Sequence, residues 1–61
     1  MNKVGKKVLI RRGIFIGYEG RITGVFKYNE KDVYVVDVYR GKNITEKFTI
    51  TLDNNDFEYI N

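Results

Sequence analysis

Val33-Tyr34-Val35-Val36-Asp37-Val38-Tyr39 is the densest run of β-branched and aromatic residues in the chain. Such residues fit a pleated, half-buried surface, and the run reads as a strand. Asp37 has to face water. That choice puts Tyr34, Val36 and Val38 inside and leaves Val33, Val35 and Tyr39 outside. Upstream lies the polar tetrad Asn29-Glu30-Lys31-Asp32, which reads as a turn. Residues 20–28 before it form another strand, in which Ile22 and Val25 differ in parity. Burying both requires a bulge near Gly24. Downstream, Arg40-Gly41-Lys42-Asn43 turns the chain. Residues 46–52 then alternate, with Phe48, Ile50 and Leu52 inside and Lys47, Thr49 and Thr51 outside.

The same alternation extends to both ends. In residues 6–12, Val8 and Ile10 take one face, and Lys7, Leu9 and Arg11 take the other. Asp53-Asn54-Asn55 is expected to make a tight turn with a single turn of 3₁₀ helix, and residues 57–60 a short last strand. Five short strands without a long helix define an all-β chain. The economical closure for so few residues is a small five-stranded barrel, which hides its sheet edges. The expected core is Val8, Ile10, Ile22, Val25, Tyr34, Val36, Val38, Phe48, Ile50, Leu52, Phe57 and Ile60.

With 61 residues, the chain is read as one domain over 1–61. It contains no Cys, His, Pro or Trp. Thiol and imidazole chemistry, disulfides and Cys/His metal sites are thereby excluded, and no cofactor or metal is expected. The hydroxyl alcohols are all threonines, and Asp53 and Asp56 sit where a turn favours Asp for structural reasons. A filled small barrel is expected to hold no pocket of about 300 Å³ or more. The chain therefore reads as a binding module and not as an enzyme. No apolar leader and no run of about 18 apolar residues is visible, so the expected setting is cytoplasmic, away from membranes.

Charge is unevenly spread. Residues 1–31 carry eight Lys and Arg against two acids, and residues 32–61 carry three against six. Lys6, Lys7, Arg11, Arg12 and Arg21 fall on or beside the first two strands and are the candidate contacts to RNA or DNA phosphates. Tyr18, Phe26 or Tyr28 would supply stacking for unpaired bases. The segment Ile14-Phe15-Ile16-Gly17-Tyr18 is unusually apolar for a loop. Its four large side chains are candidate contacts to a protein partner, with Phe15 expected to be the exposed one. Val33, Val35 and Tyr39 offer a further outer surface of the kind that pairs two copies.

Glycines punctuate this region at Gly5, Gly13, Gly17 and Gly20. No Lys-Ser/Thr and no helix follows, so a phosphate loop is excluded. The set Gly5, Val8, Ile10, Gly13, Gly17, Gly20 and Ile22 resembles the KOW motif of NusG-type transcription factors. Phe15 and Tyr18 occupy aromatic positions of that pattern. Lys6 stands where an acid is common, and Ile14 where Pro is. The resemblance implies an SH3-like five-stranded barrel and an adaptor role in a transcription, translation or other nucleic-acid machine. The 61 residues are expected to hold no counterpart of the polymerase-gripping domain of those factors. A purely protein-binding or structural module, without nucleic acid, is the alternative.

Overall fold

The structure is a computed structural model that describes residues 3–40 and 46–60. Five strands form one antiparallel sheet: β1 (Lys7–Ile10), β2 (Glu19–Tyr28), β3 (Lys31–Arg40), β4 (Glu46–Leu52) and β5 (Phe57–Tyr59). Their spatial order is β4-β3-β2-β1-β5. The all-β expectation is met. No ladder joins β4 to β5 among the described residues, so the sheet remains open where a closed barrel was expected. Part of the reason is length, since β5 contributes only three residues.

The core follows the alternation. Val8, Ile10, Ile22, Tyr34, Val36, Val38, Leu52 and Phe57 are buried, and all eight were expected. Burying such side chains stabilises the fold by about 1.5–3 kcal/mol each. Phe48 and Ile50 are half-buried and pack against this core. Ile60 is also half-buried. The bulge lies where the parity break places it. Ile22 pairs with Val36 and Gly24 with Val35, which leaves Thr23 over.

Val25 is a correction. It shares a face with Tyr34, its partner, yet stays exposed. The β2–β3 hairpin runs beyond the buried layer, consistent with molecular extents of 39 × 21 × 20 Å. The turn at its tip is shorter than expected. Tyr28 already pairs with Lys31, and only Asn29 and Glu30 lie between them, at φ 50° and 65°. Positive φ at both central residues is the two-residue type I′ arrangement, whose twist matches that of the strands.

The turn before β5 differs too. It is one hydrogen-bonded turn and not 3₁₀ helix, with Asp56 N–H donating to the Asp53 carbonyl at 3.1 Å. Asp53 Oδ1 accepts the Asn55 N–H at 2.8 Å, a local side-chain bond that competes with helical continuation. The expected turn at residues 40–43 lies, beyond Arg40, outside the described residues.

At Gly20, β2 packs tightly on β3. A Cβ there would sit 2.6 Å from Val36 Cγ1 and 3.0 Å from the Asp37 carbonyl oxygen. The glycine leaves room for the Val36 side chain and the Asp37 backbone.

Candidate nucleic-acid interface

Register decides which side chains share a surface. On β3 the odd positions Val33, Val35, Asp37 and Tyr39 face away from the core. Arg21 pairs with Asp37, and Lys7 pairs with Arg21. Lys7, Arg21 and Tyr39 thus lie together on the outer face of β1–β3. With Glu19 and Gly20 they line an open depression of ≈ 280 Å³. Beyond the bulge, Gly24 pairs with Val35, Phe26 with Val33 and Tyr28 with Lys31. Phe26 and Tyr28 therefore stand on the same outer face, both exposed. One surface runs from two cations and a tyrosine, across the flat step at Gly24, to two further aromatics and Lys31.

The five candidate cations separate in this geometry. Arg11 is neutralised by Glu58 at 3.0 Å. Lys6, Lys7, Arg12 and Arg21 are exposed and within ion-pair distance of no described carboxylate. Arg21 is aimed by a 2.7 Å hydrogen bond that its Nη1 donates to the Gly5 carbonyl. Asp37 sits in the same face but is occupied. Its Oδ1 accepts the Thr49 hydroxyl at 2.8 Å, and Lys47 Nζ stands 4.0 Å from Oδ2. Glu19, on the rim of the depression, is the one acid there without an ion pair among the described residues.

The apolar loop is rigidly tied. Gly17 N–H donates to the Ile10 carbonyl at 2.8 Å, Ile10 N–H to Tyr18 at 2.9 Å, and Ile16 N–H to Gly13 at 3.2 Å. Gly13 and Gly17 take φ of 94° and 89°, which side chains rarely adopt. The expectation for Phe15 is overturned. Its ring is half-buried, 5.2 Å from the Phe48 ring and 5.8 Å from Tyr18, where it extends the core over the open sheet. Tyr18 is half-buried as well. Ile14 and Ile16 are the side chains that project, 89% and 62% exposed. Arg40 closes this cluster 5.3 Å from the Phe48 ring, and its hydrogen bond to Glu46 holds the guanidinium more firmly charged than usual.

Tyr39 was not among the sequence-derived nucleic-acid contacts, because its place beside Lys7 depends on the register of three strands. A second depression, ≈ 380 Å³, lies among Lys31, Asp32, Tyr34, Asp53, Asn54 and Asn55. It exceeds the size expected from a filled barrel. No described helix is long and apolar enough to cross a membrane. Among the described residues, no cluster of three or more acids is placed to hold a metal ion. In comparisons with known proteins, no family model, no curated protein and no solved structure matches this chain.

Proposed function

We propose that the chain is a non-catalytic module that binds single-stranded nucleic acid on the outer face of β1–β3. The observation that carries this reading is the alignment of Lys7 and Arg21 with exposed Tyr39, Phe26 and Tyr28 on one face. Unpaired cations hold phosphates, and exposed rings on a sheet stack unpaired bases regardless of sequence. From Arg21 to Tyr28 the strand spans about 20 Å, room for about four nucleotides. The glycine spacing that resembles the KOW motif agrees with a role in a nucleic-acid machine. Projecting Ile14 and Ile16 supply a separate protein contact, which makes the module an adaptor.

The test is an NMR titration with short oligo-dT and oligo-rU at low and high salt. Shifts should cluster on residues 7, 21, 26, 28 and 39, weaken with salt, and vanish in a Lys7→Ala/Arg21→Ala double variant. Removing the rim acid in Glu19→Gln should tighten binding. A flat titration at low salt would leave the alternative, a protein-binding module alone.

A further inference from the structure

We infer that two copies of this chain join through the free edge of β4, antiparallel about a two-fold axis at Ile50. Among the described residues β4 is the terminal strand of an open sheet, seven residues long. Its ladder to β3 runs without a bulge from Glu46 to Leu52, and it carries no Pro. An edge of this kind presents a row of backbone donors and acceptors for another strand. The opposite edge, β5, has only three residues. The inner-facing Phe48 and Ile50 are left half-buried, so the core is unfinished on the β4 side.

The register follows from matching faces. A two-fold axis perpendicular to the sheet must pass through a residue, so that inner side chains meet inner side chains. An axis at Thr49 sets Glu46 against Leu52 of the second copy, and an axis at Phe48 sets Glu46 against Ile50. Both bring a carboxylate onto the apolar row. An axis at Ile50 pairs Ile50 with itself and Phe48 with Leu52 on the inner face. On the outer face it pairs Thr49 with Thr51 and Lys47 with Asp53. Charge complementarity favours this register. Lys47 is at the limit of reach from Asp37, at 4.0 Å. Asp53 spends one oxygen on the Asn55 N–H, and its other oxygen takes no hydrogen bond or ion pair among the described residues. The two-fold repeats the Lys47–Asp53 pair on both sides.

Sedimentation equilibrium of the full chain over a concentration series tests this. A reversible monomer–dimer equilibrium is expected. Because each chain carries a net charge of +3, moderate salt should not dissociate the dimer, in contrast to nucleic-acid binding. Lys47→Asp places two like-charge pairs across the axis and should raise the dimer dissociation constant about tenfold. The Lys47→Asp/Asp53→Lys swap should restore it. Concentration-dependent amide shifts should be confined to residues 46–53. A chain that stays monomeric throughout overturns the proposal, as does a dimer indifferent to Lys47→Asp. So does a swap that fails to recover the dimer, or shifts centred on Val33, Val35 and Tyr39 instead.

Discussion

Phe15 and Ile14 are neighbours with opposite duties, and the distinction could not be read from composition. Both are large and apolar within one loop. The loop's turns send Phe15 onto Phe48 and leave Ile14 outside. Replacing Phe15 with Ala removes a half-buried ring and should cost about 2 kcal/mol, below the value for a fully buried Phe. Ile14→Ala should stay within about 0.5 kcal/mol. Urea midpoints for the two variants check the pair, and equal losses would contradict the geometry. Gly20 makes a sharper case. Gly20→Ala drives a methyl into Val36, which is fully buried and cannot swing away. The expected loss is about 1–3 kcal/mol, typical of overpacking. The same denaturation measurement would reject the close approach if Gly20→Ala were neutral.

At the scale of the elements, period-two patterning carried most of the information. The eight buried core side chains and the bulge near Gly24 were legible, because alternation reports the face directly. What was not legible depends on extent and register. Val25 has the parity of a core residue but sits where the hairpin has outrun the core. Asn29-Glu30-Lys31-Asp32 looks like a four-residue turn because all four are polar, yet Lys31 and Asp32 belong to β3. Within the turn, Glu30 carries φ 65°, a conformation that costs a side-chain-bearing residue about 1–2 kcal/mol. Glu30→Gly relieves that strain at some cost in unfolded-state entropy, for a net gain of about 0.5 kcal/mol. A raised thermal midpoint would bear this out, and a lowered one would show that Glu30 is not strained. Of the candidate site, the cations were visible by type. That Arg11 is paired and Tyr39 recruited was not, because both facts arise from cross-strand neighbours.

The whole molecule balances an open sheet against a small core, and pH exposes that balance. Burial, with Tyr59 beside it, raises the Tyr34 pKa above its ordinary value of about 10. The folded chain therefore holds the Tyr34 proton more tightly than the unfolded chain. Stability from this group is intact below about pH 10 and is lost as pH rises through the higher folded value. Denaturation midpoints across that alkaline range should fall more steeply for the native chain than for Tyr34→Phe. Parallel curves would place the sensitivity elsewhere. Tyr34 also touches Phe57 edge-on, with ring centroids 5.1 Å apart, so it reads directly whether β5 has docked.

The pairing of β1 with β5 has a consequence for how the chain is made. Val8 finds Tyr59 across about fifty intervening residues, and Phe57 completes the core from the same strand. During synthesis β1 precedes β5 and waits with one edge unpartnered until β5 has left the ribosome. A growing chain halted after Leu52 lacks Phe57 and Tyr59, and with them the strand that pairs with β1. For that interval its exposed apolar strands are open to chaperones, proteases or other nascent copies, so the speed of translation through residues 53–59 bears on how much native protein accumulates.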